Sequence, residues 1–400
     1  MDPEYIVIAT VAIVYIVSIM ISPFPCWATY RFLLKTVFLN KDKKIHTRAR
    51  LRQLAFLLKY LLLNPLWTIL WYLDEILFPD YKQQQIRPVF IIGQPRSGTT
   101  CLHRTLAEDS DNFYATRHIE WRYPYIIFNK LIKKSNFAKR WLNKDYWPDS
   151  NVGKLTAKMH PNKLRDWEED GIFFEECFLH HFFIFLRFPY PEVLSHVDNF
   201  AGLPEKVKQK MLAVHRKVIQ KVGYLNNGSS KYYLSKEVTG HDKIEDILKL
   251  YPDAKFIVVV RQSREFMNSL LELARYSTLS KTGIDPVDLA TWEEIFLERM
   301  RQDSSLLTEL CEKQIRKSQQ VRISFDAFTG DMLDSTRYIY EKIGCQLNDG
   351  FVRYLEEKQL DQKNRDKGYL YEKRKLSGFE GFDCFVREVE NSLKANLIKS

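Results

Sequence analysis

The sequence contains few cysteines, glycines and prolines for its length. The six cysteines are scattered through 400 residues without a C-x-x-C pair. Neither a zinc site nor a disulfide framework is therefore supported, and buried reduced thiols are expected. Glycine and proline number 15 each, and there is no low-complexity tract or internal repeat. These absences exclude disordered, collagen-like and repeat architectures and leave one large globular domain or two smaller ones.

Zinc-finger spacing, an RNP-type aromatic motif and a helix-turn-helix pattern are also missing, which weighs against nucleic acid as a partner. The net charge is nevertheless +10, with a pI of about 9.1. A basic surface favours anionic partners such as nucleotides or anionic lipids. Part of the excess is local, because eight basic side chains lie between Arg31 and Arg52.

The first apolar segment, residues 5–22, contains no charged side chain. About eighteen apolar residues suffice to cross a bilayer with little tilt. A cleaved signal peptide would begin with basic residues, whereas this segment follows Asp2 and Glu4 and is followed by Pro23 and Pro25. The sequence therefore predicts a retained, single-pass transmembrane anchor over residues 1–24.

The basic block after this anchor predicts the orientation of the protein. Loops rich in lysine and arginine tend to stay on the cytoplasmic side of a membrane. The body is therefore expected to face the cytosol, at the endoplasmic reticulum or a similar membrane, and a Golgi-lumenal body is the alternative.

A second apolar segment, residues 54–78, is interrupted by Lys59, by Asn64-Pro65 and by Asp74-Glu75. Each uninterrupted piece is too short to span a bilayer. Its tryptophan and tyrosine content suits a pair of interfacial helices. An amphipathic helix packed on the protein core is an equally good interpretation, since both need one apolar stripe. The predicted organisation is an anchor (1–24), juxtamembrane and interfacial helices (25–85) and a catalytic domain (86–400).

The remainder alternates short apolar strands with helical patterns. Alternation of this kind predicts an α/β fold of three layers, with a central parallel sheet of about five strands covered by helices on both faces. The strands are predicted at 88–93, 112–117, 231–235, 255–260 and 320–325, and long helices at 205–222 and 292–317.

The loop after the first strand carries the chemistry. Residues 89–100 read VFIIGQPRSGTT, which is nearly the phosphate-binding loop of nucleoside triphosphatases. Gly93 and Gly98 permit a tight turn, and the N–H groups and hydroxyls that follow would face an anion at a helix N-terminus. The position of the usual lysine holds Thr99, and the cation is Arg96. Without that lysine, a 5′-phosphate or phosphosulfate is expected rather than a γ-phosphate.

The PRSGTT motif resembles the 5′-phosphosulfate loop of sulfotransferases that use PAPS (3′-phosphoadenylyl sulfate), and the resemblance covers residues 88–344. The segment VVVRQSREFMNS supports it, because the family grips the 3′-phosphate with an Arg-x7-Ser pair that corresponds here to Arg261 and Ser269. LSKE aligns Lys236 with the family's LKSP lysine, and HIEW places Glu120 near a family glutamate.

The resemblance implies a donor site and a catalytic set. PAPS is the expected cosubstrate, PAP its product, and no metal is required. The donor-binding residues are expected to be Pro95, Arg96, Ser97, Gly98, Thr99, Thr100, Cys101, Arg261 and Ser269, with Arg365 and Lys367 (or Lys373 and Arg374) in a basic loop that closes over the nucleotide. The expected catalytic residues are Arg96 and Lys236, which would neutralise charge, and Glu120 as the base that takes the acceptor proton, with His118 as the alternative base.

The acceptor is less constrained by the sequence. Glu175 and Glu176 lie in an apolar stretch (173–190) where an unpaired charge is costly, so they are expected to line the substrate pocket or to pair with a basic residue. The anchor and this stretch suggest a hydrophobic acceptor such as a lipid, sterol or terpenoid with a hydroxyl or amine. A glycan sulfotransferase, a P-loop-like kinase and a non-catalytic membrane scaffold are the alternatives.

Overall fold

A parallel five-stranded sheet forms the centre of the protein, as predicted. The computed structural model describes residues 3–197, 200–238, 241–364, 374 and 376–397. The strands are β1 (Pro88–Gly93), β2 (Phe113–Ala115), β3 (Tyr232–Glu237), β4 (Lys255–Val260) and β5 (Gln320–Ser324), in the order β2-β3-β1-β4-β5. All pairings are parallel, and Ile91 of β1 lies opposite Lys236 of β3 and Ile257 of β4. β1 therefore lies in the middle, which places the loop after it at the centre of the sheet edge where ligands bind.

Helices make up most of the remaining chain. They are α1 (Pro3–Ile21), α2 (Trp27–Leu39), α3 (Thr47–Leu77), α4 (Thr99–Leu106), α5 (His118–Arg122), α6 (Ile126–Lys134), α7 (Asn136–Leu142), α8 (Asn151–Met159), α9 (Gly171–Glu176), α10 (His181–Arg187), α11 (Pro191–Val197), α12 (Glu205–Leu225), α13 (Ile244–Leu250), α14 (Ser263–Thr282), α15 (Trp292–Glu309), α16 (Phe325–Gly330), α17 (Met332–Ile343), α18 (Asp349–Lys363) and α19 (Glu380–Leu397). Short 3-10 turns lie at Pro79–Gln83, Gly228–Ser230, His241–Lys243, Pro286–Asp288 and Lys317–Gln319, and a π turn at Leu310–Gln314.

The sheet is covered on both faces, which gives the predicted three layers. Successive residues of a strand point to opposite faces. In β3, Leu234 packs in one cluster with Leu102 of α4, whereas Tyr233 packs in another with Val218 and Ile219 of α12.

The apolar segment around residues 54–78 differs from the predicted pair of interfacial helices. It is part of one continuous helix, α3, with Pro65 inside it. The buried side chain of Asn64 donates to Ser18 Oγ of α1 over 3.0 Å, and Asp74 accepts hydrogen bonds from the first N–H groups of α6 at 2.7 and 3.1 Å. The polar residues that were expected to break the helix are thus satisfied by neighbouring elements, so the helix continues through them.

α1 and α3 form an apolar end of the molecule. Both helices are long and apolar enough to cross a membrane, and α1 is almost entirely exposed. α3 buries one face, which includes Leu57, Tyr60 and Trp71, and exposes the other, whose leucines and isoleucines are Leu51, Leu58, Leu62, Leu63, Leu66, Ile69, Leu73, Ile76 and Leu77. The two helices suggest that this end associates with a membrane. Tyr30 of α2 and Leu57 of α3 also belong to the main core cluster, so this region packs directly on the sheet domain.

Candidate active site

The loop between β1 and α4 follows a path that two glycines permit. A Cβ on Gly93 would lie 2.4 Å from the carbonyl oxygen of Val259 in β4. Gly98 has a φ of +94°, and a Cβ there would lie 2.1 Å from the ring of Phe325. No larger residue fits at either place without movement of its neighbours. The loop is therefore held tightly between β4 and Phe325, with α4 beginning at Thr99.

The predicted 3′-phosphate residues, Arg261 and Ser269, both contact Arg96, which was predicted to bind the 5′-phosphosulfate. Arg96 has a φ of +68°, and its Nε donates to Ser269 Oγ over 3.1 Å. Arg261, just after β4, donates from Nη1 to the carbonyl oxygen of Arg96 over 3.1 Å, and its guanidinium lies over the Phe325 ring. The Nε of Arg261 is buried and has no hydrogen-bond partner among the residues that the structure describes. Two arginines and a hydroxyl thus converge, with one buried donor still available for an anion.

A buried cluster of charges lies on the other side of the loop. Lys236, in β3, donates from Nζ to Thr100 Oγ1 over 3.0 Å. The same ammonium lies 3.1 Å from Glu168 Oε1 and 3.4 Å from Glu169 Oε1. Glu168 also pairs with Arg104 of α4 at 3.0 Å. The Oε2 atom of Glu169 is buried and finds no hydrogen-bond partner within the described part of the chain. Lys236 therefore links the loop to an acid pair that the sequence interpretation did not assign to the site.

The two acids of this pair have different protonation behaviour. Burial would raise the pKa of Glu168, but Lys236, with His160 and Arg104, lowers it well below its usual range. Burial raises the pKa of Glu169 to about 7, because the stabilising effect of Lys236 is partly cancelled by the charge of Glu168. Burial opposes the charge of Lys236, yet the two carboxylates raise its pKa. One carboxylate thus stays ionised beside the lysine, while the other can exchange a proton near neutral pH.

His118 lines the same cavity with both ring nitrogens engaged. Its Nδ1 lies 2.6 Å from Asn162 Oδ1, and its Nε2 lies 2.6 Å from Nε of Arg122. Arg122 can only donate, so Nε2 accepts and Nδ1 carries the proton. Burial, and then the charge of Arg122, lowers the pKa of His118 to about 3. The ring is therefore neutral and held in one orientation.

Glu120 lies apart from these groups, contrary to the role predicted for it. It is not among the residues that line the cavity. Its Oε2 accepts from the backbone N–H of Arg117 over 2.8 Å and caps the start of α5. Ser97 is likewise turned away, since its hydroxyl donates to the carbonyl oxygen of Gln94. Both side chains have a local structural partner, and neither lines the cavity.

One cavity of about 1130 Å³ joins these features. The end beside the loop contains the predicted residues Pro95, Arg96, Gly98, Thr99, Thr100, Cys101, Arg261, Ser269 and Lys236. The other end is lined by Arg122, Tyr146, Trp147, Glu175, Phe183 and Lys281, among others. Below, the first is called the donor end and the second the acceptor end, after the roles proposed for them. A volume above roughly 1,000 Å³ exceeds what one small ligand usually occupies, so the cavity has room for a nucleotide and a second molecule.

The two predicted pocket glutamates are both paired with Arg122. Glu175 lines the cavity and lies 3.0 Å from Arg122. Glu176 forms an ion pair with Arg122 and accepts from the Tyr60 hydroxyl of α3 over 2.6 Å. Burial opposes ionisation of Glu175, but Arg122 and other cations lower its pKa to about 2. The apolar stretch that carries them is divided at Phe178, which has a φ of +59°, into α9 and α10.

Part of the predicted basic loop lies outside the described residues, namely Arg365, Lys367 and Lys373. Arg374 is described, and it pairs with Glu293 at 2.9 Å. Among the residues that the structure describes, no cluster of three or more histidine, cysteine or acidic side chains is arranged to hold a metal.

The sequence interpretation missed several residues that line the cavity, notably Arg104, His160, Glu168, Glu169 and Lys281. Glu168 and Glu169 are adjacent acids before an apolar helix, and this pattern alone is a weak indication of a catalytic site. Lys281 lies 12 residues after Ser269 on α14, about 120° round the helix from it, so its place in the cavity could not be projected from Ser269.

Comparisons with known proteins identify the family and support the fold. A family model described as "Sulfotransferase family" matches residues 88–349. The sulfotransferase STF1 from Mycobacterium tuberculosis is 18% identical, with a TM-score of 0.55 over 84% of this chain and 89% of that one. STF9 from Mycobacterium avium is 14% identical, with a TM-score of 0.58 over 94% and 96%. None of the curated proteins matches the chain. At such identities the two structures support the fold alone, and the family model supports the family.

Proposed function

The chain belongs to the sulfotransferase family, and from that premise we propose that it transfers a sulfuryl group from PAPS to a hydroxyl or amine of a membrane-resident, hydrophobic acceptor. The observation that carries the donor assignment is the presence of two separate anion-binding groups beside one loop. Arg96, Arg261 and Ser269 form one. The N-terminus of α4, with Thr100 and Lys236, forms the other. PAPS carries a 3′-phosphate and a 5′-phosphosulfate, so two anion sites match its charges.

The residues present fit such a donor in detail. The buried, unpartnered Nε of Arg261 offers a further hydrogen bond. Additional cations line the donor end of the cavity, namely Arg264, Lys358 and Lys363. When bound, PAPS supplies the activated sulfuryl group. Lys236 and the N–H groups at the start of α4 are placed to stabilise the negative charge that develops on the leaving phosphate.

We assign the general base to Glu169. Lys236 touches both Thr100 of the loop and the Glu169 carboxylate, so an acceptor atom beside the loop would lie near Glu169. The free Oε2 can take the acceptor proton, and a pKa near 7 suits a base at neutral pH. Glu168 remains ionised as the counter-charge of Lys236 and Arg104. His118 is a positioning residue in this scheme, because its two nitrogens hold Arg122 and Asn162.

A hydrophobic acceptor is favoured by the position of the cavity. Its acceptor end includes Phe182, Phe183 and Leu186. Behind it, Tyr60 of α3 binds Glu176, and the opposite face of α3 is exposed and apolar. The acceptor end thus lies next to the surface that we propose contacts the membrane through α1 and α3, with the body on the cytosolic side. A glycan acceptor with a Golgi-lumenal body is the competing proposal.

The donor assignment is tested by calorimetric binding of PAP and of ATP with Mg²⁺ to the full chain in neutral detergent. We expect PAP to bind and Arg261→Ala to weaken it at least tenfold, because charge-assisted hydrogen bonds to a phosphate are lost. Arg316→Ala, at an exposed arginine that contacts Gln319 and Pro252, is the matched control and should bind normally. Binding of ATP–Mg²⁺ without PAP would refute the proposal in favour of a kinase. Binding of neither nucleotide by a folded chain would favour the scaffold.

A further inference from the structure

Helix α14 connects the two ends of the cavity. Every fourth residue from Ser269, namely Leu273, Ser277 and Lys281, lines the same cavity. Ser269 contacts Arg96 at the donor end, and Lys281 lies twelve residues further along. At 1.5 Å per residue the two are separated by about 18 Å along the helix. Lys281 is therefore well removed from the 3′-phosphate residues and belongs to the acceptor end.

Lys281 has aromatic neighbours and no ion-pair partner. Its Nζ lies 5.6 Å from the ring centre of Trp147, 5.9 Å from that of Phe183 and 6.0 Å from that of Tyr146. No carboxylate in the described part of the chain lies within salt-bridge distance of Lys281. Glu175, which interacts with it at longer range, is paired with Arg122 at 3.0 Å and with Arg187 at 3.9 Å. Burial lowers the pKa of Lys281 to about 7, although Glu175 partly offsets the effect. Lys281 is therefore only partly charged at neutral pH, and an anion bound beside it would favour the ammonium form.

The cationic side chains around Lys281 outnumber the carboxylates. Arg122 and Arg187 neutralise Glu175 and Glu176. Arg187 also donates to the Tyr146 hydroxyl over 3.1 Å, and Arg122 stacks on the Tyr146 ring. Lys59 of α3 is a further, partly buried cation near the two glutamates, so cations outnumber carboxylates here. Lys281 is the lysine of this group that lines the cavity. An anion brought into this end of the cavity would complete the balance.

We propose, on the basis of the proposed function, that the acceptor is an anionic amphiphile whose carboxylate, phosphate or sulfate group binds Lys281 while its apolar part lies against Tyr146, Trp147 and Phe183. The acceptor's reacting hydroxyl or amine is a different group, which reaches towards Glu169 and the loop. The anion at Lys281 thus orients the molecule, and the aromatic walls supply most of the buried apolar contact.

The proposal is tested with two probes of equal chain length, octyl phosphate and octan-1-ol, and with inorganic phosphate. Calorimetry is performed on the full chain in neutral detergent with the donor site saturated by PAP. We expect octyl phosphate to bind about 10- to 100-fold more tightly than octan-1-ol, as a charge-assisted contact predicts, and inorganic phosphate to bind weakly. Lys281→Met should abolish this preference and leave PAP affinity unchanged, and Lys281→Arg should retain it. Lys154→Met, at an exposed lysine paired with Asp149, is the matched control and should behave as the parent.

Three results would overturn the inference while leaving the donor assignment intact. The preference could persist in Lys281→Met. It could be lost in Lys236→Met instead, which would place the phosphate in the position of the sulfuryl group. Inorganic phosphate could bind as tightly as octyl phosphate, which would remove the role of the aromatic walls. Failure of the parent chain to bind PAP is a separate outcome, which would refute the proposed function and with it the inference built on it.

Discussion

Replacement of Glu169 by glutamine should lower kcat without weakening PAP binding or lowering stability. The substitution keeps the shape of the side chain and removes its ability to take a proton. Loss of a positioned general base typically lowers kcat by about 10²- to 10⁴-fold, or about 3 to 5 kcal/mol in the barrier. Because Glu169 is not among the Arg96, Arg261 and Ser269 contacts, PAP affinity should be unchanged.

The pH dependence follows from the raised pKa of Glu169. Burial raises it to about 7, so kcat/KM should rise with pH through about 7 as the carboxylate forms. The folded protein binds a proton at Glu169 that the unfolded chain has already released, between about pH 4.3 and 7. The stability due to this proton is present below about pH 4.3 and lost as the pH rises through 7. Glu169→Gln should therefore be at least as stable as the parent at pH 8.

The assay is PAP formation from PAPS with a simple alcohol acceptor such as octan-1-ol, followed by chromatography, with thermal unfolding of each variant alongside. Glu168→Gln is the matched control. It removes the ionised partner of Lys236 and Arg104 and should cost about 3–5 kcal/mol of stability, as expected when a buried pair is broken. Activity of Glu169→Gln within about threefold of the parent, or a pH profile that is flat between pH 6 and 8, would refute the assignment.

Three further predictions concern the loop, the core and the membrane. Gly98→Ala should weaken PAP binding at least tenfold, because an L-residue at this φ costs about 1–2 kcal/mol and its Cβ would meet Phe325; unchanged affinity by calorimetry would contradict the loop geometry. Asp74→Ala should lower the free energy of unfolding by about 3–5 kcal/mol. In the parent, the buried ammonium of Lys221 lies 3.0 Å from Asp74, and the substitution removes this ion pair. Urea unfolding that matches the parent would contradict this prediction. The full chain should remain with the membrane fraction after alkaline carbonate extraction, since α1 is long, apolar and exposed, and its release into the supernatant would argue against the anchor.

Local sequence determined much of the fold. All five predicted segments became strands. Two of them contain continuous apolar runs, at 89–92 and 256–260, which fit the buried centre of a parallel sheet. The phosphate loop was recognisable because it requires specific residues, such as glycine at the positive φ of Gly98. Arg261 and Ser269 could be paired with each other from the Arg-x7-Ser spacing of the family, whereas their contacts with Arg96 are seen only in the structure.

Tertiary structure decided how the acids and the apolar helices are used. Glu120 and Glu169 are both buried acids. Only the groups packed around each one distinguish its role. One caps α5 through the Arg117 N–H, and the other meets Lys236 across a separation of 67 residues. The same holds for α3, whose polar residues would end an isolated helix but find partners in α1 and α6. Helix propensity and motif spacing act over a few residues, whereas the pKa of a buried acid and the continuity of an interrupted helix depend on groups that folding brings from distant parts of the chain.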